Sequence, residues 1–212
     1  MTWLRRFLEG QPEVSTGFDA IPVAGLQKEM KAVYDNISRS VEYSIEVKDQ
    51  KLHVVDHSAR VALVASRIAD QIALRESDKH ILRLAAQLHE AGMFAVPTEL
   101  LEREAPLTSE ELAMVRTQAE ISAAIAKISH HPQVSTLIAH QYDDYKRLKN
   151  EGTFTANDLL LAGIFRAADV FVAVTWPRPY QDPLPWSSFA ELLHDGVGTW
   201  FHPWAVEALL QE

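Results

Sequence analysis

The chain has 212 residues, 47% of them hydrophobic, a formal net charge of −9 and no cysteine. That length suits one sizeable core, or one domain with an appendage. The acidic balance works against non-specific binding to nucleic acid or anionic membrane but leaves room for a local phosphate pocket. Without thiols there is no disulfide, and any metal must be held by His, Asp and Glu. No apolar run approaches the roughly 20 residues that span a bilayer. Met1 to Glu9 lacks the long apolar core of a secretory signal, so a cytoplasmic protein with no membrane or nucleic-acid partner is expected.

Residues 1–25 carry Gly10, Pro12, Gly17, Pro22 and Gly25 without periodicity, which predicts an irregular lead-in. Leu26, Met30, Val33, Tyr34, Ile37, Val41 and Ile45 recur at three or four positions, which predicts a helix over 26–48. It either covers the core or pairs with a second copy. The remaining domain, 49–212, opens with a stronger pattern from Leu52 to Leu74, with Val54, Val61, Val64, Ile68 and Ile72 on one side. His53 and His57 fall four apart, share one face and can approach the same ion. The alternative is two ordinary, partly exposed histidines.

Ser77 and Asp78 are placed to cap a helix running to His89. Its end is the most informative stretch: an apolar run delivers His89 and Glu90 to the interior, and Gly92 then breaks the helix. Neighbours on a helix point about 100° apart, so both reach one centre only if it lies over the helix end and attracts strongly. A metal ion fits; a capping Gly92 with an incidental His-Glu pair is the bland alternative. Thr108 and Glu111 form a capping box for a helix through Leu112, Val115, Ile121, Ile125 and Ile128. His130 and His131 precede Pro132 and read as a solvated loop. A helix is predicted from Val134 to about Tyr145, a loop over 146–157, and a buried helix from Leu159 to Val174. Asp169 lies in the middle of that buried helix. An unpaired buried carboxylate costs several kcal/mol, so it needs a partner. A cation would serve, and Arg166, one turn away, is the structural alternative. Ser187 and Pro203 are placed to start two final helices, the last ending at Leu210. No β-strand is required, so the expected class is all-α.

His57, the His89-Glu90 pair and Asp169 together resemble the ligand pattern of the HD superfamily of metal-dependent phosphohydrolases. Further short matches, from Leu84 to His89, Ala95 to Pro97, Pro106 to Glu111, Ala119 to Ile121, Ala168 to Phe171, Arg178 to Tyr180 and Gly198 to Pro203, resemble its HD-GYP branch. The likeness runs from about residue 46 to the C-terminus. It implies an HD-domain-like helical bundle, a divalent transition metal such as Fe, Mn, Ni or Zn, and hydrolysis of cyclic di-GMP.

Several residues depart from the family pattern. The His-Asp pair is His89-Glu90, one methylene longer; the family's Lys shortly after it is Met93. A further His ligand is Gln118, the His-His pair is His140-Gln141, and residues 143–149 replace the Gly-Tyr-Pro signature. Two dications roughly 3.5–4 Å apart need more anionic and imidazole ligands than neutral glutamines supply. The resemblance therefore implies at most one metal, held by His57, His89, Glu90 and Asp169 with His140 and His53 as additions, or a metal-free site. The expected function is a catalytically impaired signalling or binding module. The alternative is an active one-metal phosphohydrolase acting on a nucleotide, a cyclic dinucleotide or another phosphoester. Expected partners are such a ligand and a separate signalling protein, with a homodimer through 26–48 a further expectation.

Overall fold

The structure, a computed structural model, describes residues 48–101, 107–128, 131–175 and 184–210. The expected lead-in, nearly all of the expected 26–48 helix, His130 and the stretch from Arg178 to Tyr180 lie outside them. Among the described residues the protein is all-α, with no β-strand and a single isolated bridge between Val197 and Phe201. No helix there is long and apolar enough to cross a membrane.

Helix α1 (Lys48–Gln71) buries Val61, Val64, Ile68 and the alanines between them, as their spacing requires. It ends three residues before the predicted Leu74, because the chain turns into a left-handed residue, Ala73 with φ of 53°. The N–H of Leu74 bonds to the Ala69 carbonyl and that of Ala73 to the Asp70 carbonyl, which together close the helix. Helix α2 (Glu76–Leu88) packs back on α1 through Leu82, Ala85 and Ala86. Its expected cap is displaced: Arg75 holds the cap position without a side-chain bond, and Asp78, inside the first turn, pairs with Arg75 at 3.0 Å. A 3₁₀ helix, Ala91–Ala95, and the short α3 (Thr98–Leu101) follow.

The capping box forms as predicted, with Thr108 accepting from Glu111 and Glu111 from Thr108 at the head of α4 (Ser109–Arg116). The expected single helix is divided at Thr117, whose hydroxyl bonds back to the Met114 carbonyl; α5 (Gln118–Ile128) then continues. Helix α6 (Pro132–Ala139) starts on the proline, as a ring without an N–H permits. It stops short of the predicted end, and residues expected in a loop form α7 (Tyr145–Glu151), closed by left-handed Gly152. The buried helix is α8 (Ala156–Thr175), with Leu161, Ile164, Phe165 and Phe171 at the centre of the core. It touches α1, α2, α6, α7, α9 and α10, so its continuous apolar surface follows from having neighbours all round. Helix α9 (Trp186–Gly196) begins one residue before the expected Ser187 cap, and α10 (Pro203–Leu210) has the predicted bounds.

Candidate metal centre

Three of the residues singled out in the sequence converge. His57 from α1, His89 at the end of α2 and Asp169 from α8 place one donor atom each within 4.8 Å of one another. His57 Nε2 lies 3.0 Å from Asp169 Oδ1, and His89 Nε2 lies 3.6 Å from the same oxygen. His57 and Asp169 keep 12% and 16% of their side-chain exposure and His89 only 1%, so the centre opens to solvent on the His57 and Asp169 side. Helix α2 ends with His89 as its last helical-geometry residue, and Glu90 takes up the turn. That break lets the neighbouring pair reach one region. Glu90 Oε1 stands 3.8 Å from His57 Nε2, at the edge of the cluster rather than in it.

The ring of His89 is oriented from behind. Its Nδ1–H donates to the Ala86 carbonyl at 2.7 Å, so in the neutral ring Nε2 carries the lone pair. That buried atom has no hydrogen-bond partner. It faces a carboxylate oxygen, also an acceptor, across a gap too long for a hydrogen bond. Two acceptors turned toward each other in a largely buried site call for a cation or a proton between them. Ligand atoms about 2 Å from one ion stand no more than about 4 Å apart; the separations of 3.0 and 3.6 Å from Asp169 satisfy this, and all three donor atoms lie within 4.8 Å of one another. An imidazole whose other nitrogen donates to a carbonyl is the usual arrangement of a metal-bound histidine. The donor set fits one divalent ion.

Charge follows geometry. Burial opposes ionisation of Asp169, but the two imidazoles facing it outweigh burial and hold its carboxyl well below the usual range. Burial likewise opposes a charged His89, and the Asp169 and Glu90 carboxylates overcome it, raising the imidazole above its ordinary value. Arg166 does not pair with Asp169. Its Nη1 donates to the Gln141 carbonyl at 3.2 Å, so the expected structural partner is engaged elsewhere.

Of the other candidates, His140 stays outside the convergence. His140 bonds through Nδ1 to Asp143 at 2.8 Å and packs edge-on against Phe154. His53 lies on α1, but its side chain is outside the described residues. Gln118 is fully buried, with Nε2 donating to Tyr142 Oη at 2.7 Å and Oε1 accepting from Ser122 at 3.0 Å. Gln141 donates from Nε2 to the His89 carbonyl at 3.2 Å. Sequence reasoning missed Ser122, Tyr142 and the role of Gly92. A Cβ on Gly92 would lie 2.1 Å from the Gln118 carbonyl oxygen, so this glycine is there for close approach rather than as a helix cap. The sequence signal was the spacing of Gln118 and Ser122, four apart on one face of α5.

This bundle of helices gathers two imidazoles and a carboxylate from three segments into one cluster that could hold a metal ion. The HD domain family model matches residues 43–204, and the chain belongs to that family. It is 26% identical over 194 residues to the cyclic di-GMP phosphodiesterase response regulator RpfG of Xanthomonas campestris, covering 88% of this chain and 49% of that protein. A 3'3'-cGAMP-specific phosphodiesterase of Vibrio cholerae is 32% identical over 161 residues, 73% of this chain and 30% of its own. A cyclic di-GMP phosphodiesterase of Thermotoga maritima is 29% identical over 174 residues, 78% of this chain and 46% of its own. These findings agree with the HD-GYP-like resemblance read from the sequence, and the chain spans less than half the length of each of these relatives.

Proposed function

We infer that this chain is an HD-GYP-like domain that holds one divalent ion through His57, His89 and Asp169, with Glu90 beside them, and binds a cyclic dinucleotide while hydrolysing it poorly. The names of the relatives supply the ligand class. The observation that carries the impaired reading is the use made of two glutamines. Gln118 and Gln141 stand where the family pattern expects imidazoles, and their amides are engaged with Tyr142, Ser122 and the His89 carbonyl. The Gln118 oxygen already accepts from Ser122, and Gln141 offers at most a neutral amide oxygen, so the pair is a weak support for a second ion.

A bound divalent ion supplies an acidified water and polarises a phosphoryl oxygen. The protein's own part is to orient His89 through Ala86, to keep Asp169 ionised and to leave an open side at His57. Met93 offers no cation to developing negative charge, and losing one such donor typically costs about 10² to 10³ in rate.

Elemental analysis after growth with Mn, Fe, Ni and Zn is expected to find one equivalent of metal per chain, lost in His89→Ala. Cyclic di-GMP turnover is expected to fall at least about 10²-fold below the usual enzyme range of roughly 1–10³ per second. Two equivalents of metal, or turnover within that range that disappears in His89→Ala, would refute the reading. The second reading, an active one-metal phosphohydrolase on another phosphoester, is favoured by the partnerless His89 Nε2. A metal-dependent activity found by screening nucleotides and other phosphoesters would establish it.

A further inference from the structure

Gln118 begins a chain of hydrogen bonds whose direction is settled from its backbone end. The Gly92 N–H can only donate, and it does so to Ser122 Oγ at 2.8 Å. The hydroxyl hydrogen of Ser122 then goes to Gln118 Oε1 at 3.0 Å. That fixes the amide orientation, so Gln118 Nε2 donates to Tyr142 Oη at 2.7 Å. The phenol oxygen is thus an acceptor in this bond, and its own hydrogen has no acceptor among the described residues. Half-buried Tyr142 directly follows Gln141, whose Nε2 donates to the His89 carbonyl at 3.2 Å. Burial raises the phenol above its ordinary value, with Glu90 and Asp169 adding to the rise and Arg116 opposing it. The Arg116 guanidinium carbon lies 5.6 Å from the ring centroid. Arg116 is exposed and forms no ion pair among the described residues.

The geometry points to Tyr142 Oη and the Arg116 guanidinium as the phosphate-binding flank of the His57, His89 and Asp169 centre, taking a phosphoryl group of a cyclic dinucleotide, with Gln118 as its positioning residue. This rests on the reading of the centre as a phosphoester site. An unspent phenol proton suits a non-bridging phosphoryl oxygen, and a guanidinium suits its charge. Together they supply the donor and the positive charge that Met93 does not. The glutamine in place of an expected imidazole is then part of the ligand site, because its amide donates to the phenol oxygen and so leaves the tyrosine proton free.

The test is calorimetric titration of the full metal-loaded chain with cyclic di-GMP, with metal measured in the same samples. Tyr142→Phe is expected to weaken binding about 10- to 100-fold, the range for losing a hydrogen bond to a charged acceptor. Arg116→Ala should weaken it about 3- to 10-fold and flatten its dependence on salt, with Arg116→Lys retaining that dependence. Gln118→Glu, which would accept the phenol proton, should resemble Tyr142→Phe. Arg116 is exposed, so its variants fold whatever becomes of the buried one. Unchanged affinity in both Tyr142→Phe and Arg116→Ala overturns the inference, and so does a metal-holding wild type that binds cyclic di-GMP no better than millimolar. A wild-type chain that takes up no metal defeats the reading of the centre instead, and the metal measurement tells the two failures apart.

Discussion

The two nitrogens of His89 have different fates: Nδ1 is tied to the Ala86 carbonyl, while Nε2 looks across 3.6 Å to Asp169. A proton on Nε2 makes that gap favourable, as an ion would, so a bound ion would compete with the proton for one place. The pH dependence of the metal-free protein follows from the sign of each shift. His89 is raised above its ordinary 6.5, so its contribution to stability is complete below about pH 6.5 and is lost as pH rises through the folded value. Asp169 is lowered from 3.8, so its contribution is present above about pH 4 and is lost only in stronger acid. Chelator-treated protein should therefore have a lower urea midpoint at pH 8 than at pH 6. His89→Gln should remove most of that difference, and restored metal should remove it in the wild type. A midpoint that is flat from pH 6 to 8 in the metal-free wild type would count against the shared position of proton and ion.

At the scale of elements, the junction between α1 and α2 carries His57 toward His89, and it depends on Ala73 with φ of 53°. A left-handed conformation costs a residue with a Cβ about 1–2 kcal/mol, and glycine avoids most of it. Ala73→Gly should therefore stabilise the protein by about 0.5–1 kcal/mol, read as a higher urea midpoint with unchanged slope. A destabilisation would mean that flexibility gained in the unfolded chain outweighs the relief. The closure is otherwise well made, with two backbone bonds and Leu74 packed against the core. Helix α4 shows the opposite balance. It has a complete capping box and no buried residue, so local bonds rather than burial define it.

For the whole molecule, α8 joins the core to the site. Phe165 is buried at its centre and also packs edge-on against the His89 ring, with centroids 5.4 Å apart. His57, His89 and Asp169 come from segments far apart in sequence, so on the proposed reading an ion joining them would hold three helices together and bind the folded state alone. At an ion concentration about 100 times the dissociation constant, this adds about 2.7 kcal/mol. In a chain of this size that corresponds to about 5–10 °C in melting temperature. Chelation should lower the melting temperature by that amount in the wild type and leave Asp169→Asn unmoved. An equal response in the two proteins would show that the effect arises elsewhere.

The sequence by itself determined the all-α class, the course of α8 and α10, the capping box at Thr108 and the nomination of His57, His89 and Asp169. These rest on local patterns, namely apolar periodicity, a cap and its partner three residues on, and a carboxylate in an apolar helix that needs a partner, together with the resemblance to the HD ligand pattern. Only the tertiary structure decided that Arg166 serves the Gln141 carbonyl, that His140 turns to Asp143, and that Gly92 is a point of close approach. The break at Thr117 and the helix over Tyr145–Glu151 were likewise hidden. The physical reason is the same in each case. A side chain's partner in a packed interior is chosen by which segments meet there, and spacing along one helix carries no record of what the neighbouring helix presents.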